Sequence, residues 1–413
     1  GVLATTPTDG NDTLTVTANV DGLKGDDTYD VNSITKNITI TEGKSAGKDT
    51  LDLSGVGQNL TITIKKDSYV TVSNGSHTIT ARYIENIIGG SGNDTFVIEK
   101  GAALKGSIDG KGGINTLTYT SASNAYSNDV AVDMSVGTSD TTGRARGIDG
   151  GIKNRDKIVG GKGEDILRGS DSADHMTGGA DDDDLYGGDG ADTLIGGTGN
   201  DTYHFAGSSW GGDTVTELLN EGTDTLNFGK LSEALTFTVA SSGIAVSGTS
   251  QSLSSTTNIE KLVAGTGNNT FNFSSGWGSK VVVDATTGAT VNISFASVSS
   301  DLYFTVKGNG TVEVADTANR SGGNRAIIEY VDGITGGSGT NYFAFESGAA
   351  LSGTLTTGSG TNVLDYSAFG QAIDLINSND YPAIGTLSIA TGATVEIIGS
   401  SKQDLLDAAA AGQ

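Results

Sequence analysis

Residues 151–204 divide into six consecutive nonapeptides: GIKNRDKIV, GGKGEDILR, GSDSADHMT, GGADDDDLY, GGDGADTLI and GGTGNDTYH. Every one has Asp at position 6 and an apolar residue at position 8, and three of them fit G-G-x-G-x-D-x-U-x at each fixed position, U being a large apolar residue. So short a period excludes a conventional globular core and requires each unit to bury its apolar residue against stacked neighbours. A unit reads as a six-residue turn followed by a three-residue strand. The glycines supply left-handed turn conformations and allow close stacking. The side chain at position 8 points inward and its neighbours point outward. Two units make one coil, so the turns on one edge come from units two apart.

Longer repeats surround this array. EKGAALKGSIDGKGGINTLTY at 99–119 returns as ESGAALSGTLTTGSGTNVLDY at 346–366. IENIIGGSGNDTF at 84–96 has relatives at 259–271 (IEKLVAGTGNNTF) and 328–343 (IEYVDGITGGSGTNYF), and VEIIGSS at 395–401 begins what reads as a further copy. A D-T-L strand occurs at Asp49–Leu53 and again at Asp224–Phe228. The expected fold is all-β, a parallel β-solenoid (β-roll or β-helix) with a central metal-binding β-roll. Irregular solenoid modules are expected over 1–150, the nonapeptide roll over 151–204 with a flank to about 228, and further modules over 229–413. The last module reads as truncated, which suggests a fragment or a terminus that continues into a neighbour. Residues 403–411 read as a helix.

Charge narrows the function. Against 24 Lys and Arg stand 49 Asp and Glu, a formal charge of −25. Bulk electrostatics therefore argue against nucleic acid and against anionic membrane surfaces. No stretch of about 18 apolar residues is present to span a membrane. Residues Gly1–Ala4 show no basic and apolar leader. There are no cysteines, so neither disulfides nor thiolate sites are available.

Coiling should stack Asp156 near Asp174 and Asp174 near Asp192 on one edge, and Asp165 near Asp183 and Asp183 near Asp201 on the other. Two carboxylates about 5 Å apart repel by about 3 kcal/mol at an effective dielectric of about 20. Four such pairs rival a typical domain stability of about 5–15 kcal/mol. A hard divalent cation with several oxygen ligands reverses the sign. Calcium tolerates irregular shells of six to eight oxygens, whereas magnesium demands a tight octahedron. Several Ca2+ ions are expected, with folding coupled to their binding.

After the array come Tyr203-His204-Phe205, Gly212-Asp213-Thr214-Val215 and Gly222-Thr223-Asp224-Thr225-Leu226-Asn227-Phe228. The array and this flank resemble RTX (repeats-in-toxin) proteins, most closely the RTX-containing bacterial S-layer proteins and large repetitive adhesins. The resemblance is tight over about 151–228. It implies a parallel β-roll whose calcium is held by position-6 aspartates and turn carbonyls, and export by type I secretion. The candidate ligands are Asp156, Asp165, Asp174, Asp183, Asp192 and Asp201, with Asp94 as an outlier and Asp213 and Asp224 from the flank. Asp also takes position 6 at Asp12 and Asp27. In other copies position 6 is Asn: Asn115, Asn269, Asn341 and Asn362. Those turns are expected to hold no calcium and to use side-chain hydrogen bonds.

Other motifs carry less. Gly207–Gly211 fits G-x-S-x-G, but a hydrolase elbow needs a strand before it and a helix after it, and here it lies among repeats. His175 and His204 read as exposed strand residues. Arg144, Arg146, Lys153, Arg155 and Lys157 read as charge balance for the acidic array, with contact to an acidic partner, such as a surface polysaccharide or a neighbouring subunit, as the functional alternative. The expected function is a secreted, non-enzymatic, calcium-dependent structural protein of the bacterial surface that self-associates into a layer, fibre or matrix. Alternatives are a calcium-folding secretion or adhesin module of a larger toxin, adhesin or enzyme, and a solenoid enzyme acting on polysaccharide.

Overall fold

The computed structural model describes residues 7–44, 47–120, 129–134, 143–207, 210, 212–249, 251–284, 290–318, 323–373, 383–402 and 404. The helix expected at 403–411 falls, apart from Asp404, outside these residues, as do Ser208, Ser209 and Gly211 of the G-x-S-x-G match. The fold is all-β, a parallel β-solenoid, and it divides into two units, residues 1–203 and 204–413.

In the first unit one face is built from Thr13–Thr15, Thr28–Asp30, Thr50–Asp52, Asn86–Ile88 and Ile108–Asp109, all in parallel register. The opposite face runs through Thr61–Lys65, Thr95–Ile98, Thr116–Thr118, Lys157–Val159, His175–Ala180 and Thr193–Thr198. Register keeps one side chain per strand pointing inward. Ile62, Phe96, Leu117, Ile158, Met176 and Leu194 form one such line, and all are at most 1% exposed. Thin strands of three residues suffice because each apolar side chain is covered by those of the rungs before and after it.

The second unit uses the same scheme with a different filling. Its interior holds stacked aromatic pairs, Phe237–Phe271 at 4.4 Å, Phe273–Phe295 at 4.5 Å and Phe304–Phe343 at 4.6 Å between ring centroids. These separations approximate the spacing of about 4.8 Å between parallel strands, so rings in register stack face to face.

The irregularity of the long modules has a structural source. Among the described residues four antiparallel excursions interrupt the parallel rungs, two in each unit. Thr61–Lys65 returns through Tyr69–Ser73 to Thr78–Ala81, and Ala131–Asp133 through Gly143–Ala145 to Ile148–Lys153. In the second unit Thr236–Ala240 leads through Gly243–Ser247 to Ser252–Thr256, and Leu302–Val306 through Val312–Ala315 to Arg325–Ile328. In each, the first strand pairs in parallel with another rung, and in three of them so does the third strand, at Thr78–Ala81, Ile148–Lys153 and Arg325–Ile328, so the solenoid resumes beyond the excursion.

Candidate calcium sites

The array turns carry the site. Gly179 and Gly197 have φ of 136° and 120°, a region that L side chains avoid. A Cβ on Gly197 would also collide with the carbonyl of Gly179, and one on Gly179 with the carbonyl of Gly161. The glycines thus hold stacked turns at backbone contact. Asp181, which replaces the turn glycine, adopts φ 69° and is exposed.

This stacking draws the position-6 carboxylates into ladders. The Asp165 amide donates to Asp183 Oδ1 at 2.7 Å, and the Asp183 amide to Asp201 Oδ1 at 2.8 Å. On the other edge the Asp174 amide donates to Asp192 Oδ1 at 2.8 Å. The pairing of units two apart is therefore observed. Asp165, Asp174, Asp183, Asp192 and Asp201 are all at most 6% exposed. In Asp183 one oxygen is fixed by backbone, which leaves the other for a different partner. Asp183 Oδ2 is buried and accepts no hydrogen bond. Burial first, then the charges of Asp165, Asp201 and Asp181, raise the Asp183 pKa to about 8. Burial, with a contribution from Asp129, raises that of Asp165 to about 6. A buried, incompletely bonded carboxylate among like charges calls for a cation.

The asparagine turns show what such a cation would replace. Asn341 Nδ2 donates to the carbonyls of Gly337 and Gly339 and to Asn362 Oδ1, each at 3.0 Å. Asn362 Nδ2 donates to Gly358, Gly360 and Thr394 carbonyls at 2.9–3.2 Å. Asn115 Nδ2 reaches the carbonyls of Gly110, Gly112 and Asn154, and Asn269 Nδ2 that of Gly265. In these turns the amide NH2 group satisfies carbonyls that converge on position 6. An aspartate has no proton to give them. A calcium ion, which accepts carboxylate and carbonyl oxygen together, fits the donor set of the aspartate turns.

The remaining expected ligands differ in setting. Asp94 is buried, and both its oxygens accept backbone bonds, from Leu60 at 2.9 Å and Gly90 at 2.8 Å. Its own amide donates to Asn115 Oδ1, so it heads a ladder of mixed Asp and Asn. Asp156 is exposed, and its Oδ2 accepts the Asn115 amide at 2.7 Å. Beside it Arg155 is half-buried, its Nε withdrawn from water, with the charges of Asp174 and Asp156 acting on it. A guanidinium thus supplies positive charge where the array begins. In the second unit Asp213 and Asp224 are buried, and the Asp224 amide donates to Glu260 Oε2 at 3.0 Å.

Lys153 pairs with Asp109 at 3.1 Å, in keeping with charge balance for part of the basic cluster. His175 and His204 face outward but are half-buried rather than exposed. Burial and Lys157 lower the His175 pKa.

Sequence reasoning missed position 5. Its side chains accept amides from the following rung: Asn11 from Asp26, Asp26 from Lys48, Asn59 from Asn93, Asn93 from Ile114 and Asp182 from Asn200, at 2.7–2.9 Å. Position 6 accepts in the opposite sense, from the rung before. The recurrence of Asn and Asp immediately ahead of position 6 was the available signal.

Together the fold and these turns define a calcium-binding β-solenoid. The chain matches the RTX calcium-binding nonapeptide repeat over residues 82–97, 151–185 and 169–203, so it carries RTX repeats, and these bind Ca2+ at several sites. No curated protein matches the chain.

Proposed function

We propose that this is a secreted structural protein of the bacterial cell surface that folds on calcium and assembles with copies of itself into a layer, fibre or matrix. The carrying observation is the buried carboxylate ladder, with Asp183 Oδ2 lacking any hydrogen-bond partner. Such a ladder makes the folded state depend on a millimolar cation typical of the extracellular medium. Long faces of short parallel strands are suited to contacts with other copies. Export by a type I system accords with the RTX repeats, and no helix among the described residues is long and apolar enough to cross a membrane.

Negative-stain electron microscopy tests this reading. The chain is imaged after EDTA dialysis and again after calcium is returned to millimolar level. Sheets or filaments are expected only with calcium. Compact single particles under both conditions would overturn assembly and favour a secretion or adhesin module serving a larger protein.

A further inference from the structure

Far from the nonapeptide array in sequence, three carboxylates close on one another. One oxygen from each of Asp27, Glu42 and Asp49 lies within 4.8 Å of one from each of the others. Exposure is 1% for Asp27, 3% for Glu42 and 1% for Asp49. From these residues we infer a buried calcium site of the first unit, separate from the array and closed by a glutamate.

The chain builds this site deliberately. Asp27 and Asp49 sit on neighbouring rungs, just ahead of Thr28–Asp30 and Thr50–Asp52, which pair in parallel. The Asp27 amide donates to Asp49 Oδ1 at 2.9 Å, and Asp27 Oδ1 accepts the Asp12 amide at 2.8 Å. Those two bonds fix one oxygen of each aspartate. Asp27 Oδ2 is buried and accepts nothing. Glu42 arrives from the opposite face, one residue after Ile38–Thr41, and accepts the Tyr29 hydroxyl on Oε1.

Residue 22 lines the same space. A Cβ there would collide with Glu42 Oε1 and the Tyr29 hydroxyl and lie 2.9 Å from Asp27 Oδ2. Glycine keeps the space open.

Among the described residues no Lys, Arg or His forms an ion pair with the three carboxylates. Burial first, then Asp49, raises the Glu42 pKa to about 8, and burial followed by Glu85 and Asp27 raises that of Asp49 to about 6. Three buried acids without a counter-charge are matched by a divalent ion. Oxygens ligating one calcium at 2.3–2.6 Å lie at most about 5 Å apart, which the cluster satisfies.

The pattern is also repeated. Thr39-Ile40-Thr41-Glu42, with Asp49 seven residues on, returns as Thr214-Val215-Thr216-Glu217 with Asp224 seven residues on. Glu217 and Asp224 are both buried. A chance gathering of acids has no reason to recur at fixed spacing with the same burial.

The test uses the full chain. Crystals grown in calcium, and a second set soaked in terbium, are examined for anomalous scattering. A peak between Asp27, Glu42 and Asp49 is expected besides those of the array. Bound calcium is also counted by elemental analysis, and Glu42→Gln should carry one ion fewer per chain than wild type. Asp183→Asn is the control: it should lose calcium from the array and keep the Glu42 peak. Array peaks with nothing at Asp27, Glu42 and Asp49 would overturn the site. Should Glu42→Gln fail to fold, the wild-type maps decide. The inference rests on calcium binding and not on assembly; an empty array and an empty cluster together would count against both.

Discussion

At position 6 a single atom separates two kinds of turn. Asparagine donates its amide to the turn carbonyls, while aspartate presents a second oxygen to the same carbonyls. Asp183→Asn should therefore abolish calcium at its rung yet preserve the turn. Titration calorimetry should show fewer ions bound, and the thermal midpoint in EDTA should rise above wild type. Asn341→Asp runs the other way. It places an uncompensated charge at a site with no exposure and should destabilise the calcium-free chain by about 3–5 kcal/mol, read by denaturant unfolding, with partial recovery in calcium. Acidity bears on the same atoms. Asp183 is raised from 3.8 to about 8 and Glu42 from 4.5 to about 8. Between those limits the calcium-free folded chain holds protons that the unfolded chain has released, so stability falls as pH rises. In EDTA, the thermal midpoint is expected to be higher at pH 5 than at pH 8. Calcium should reverse that order, because it competes with the same protons.

At the scale of turns and strands, the nonapeptide register was legible because its period is short and its glycines are obligatory. Inward placement of Ile158, Leu167, Met176, Leu185 and Leu194 followed directly from position 8. The same legibility predicts the effect of Gly197→Ala. Its φ of 120° and the adjacent Gly179 carbonyl allow no methyl group without displacing a neighbouring turn. A loss of more than about 2 kcal/mol is expected even in saturating calcium, measured as a fall in the thermal midpoint. The antiparallel excursions were not legible. Thr61–Lys65 and Tyr69–Ser73 alternate apolar and polar residues as any rung does, and pairing direction leaves no mark on that alternation. Glu42 was missed for a related reason. It lies outside the turn motif, and only coiling carries it to Asp27 and Asp49.

Over the whole molecule, the two units divide the metal dependence between them. The position-6 aspartates of the array and the Glu42 cluster belong to residues 1–203, whereas the described rungs of the second unit beyond Asp224 rely on Asn269, Asn341 and Asn362 and on stacked rings. Hydrogen exchange in EDTA should therefore show rapid labelling over 151–203 and slow labelling over 290–366. Uniform labelling of both would show that calcium organises the chain throughout. With a charge of −25, the calcium-free chain should also be expanded, since self-repulsion is left without its counter-ions.

The four excursions described above have one more consequence. Three of them have third strands that pair again in parallel with another rung, so their tips are released from the period that governs the rungs. The tip at Asn74-Gly75-Ser76 has a glycine at φ 88° with open space around it. Residues added there would alter neither the metal turns nor the core. Such tips are natural places for variation, where residues can change while the stacked rungs stay as they are, and where an engineer could graft a peptide.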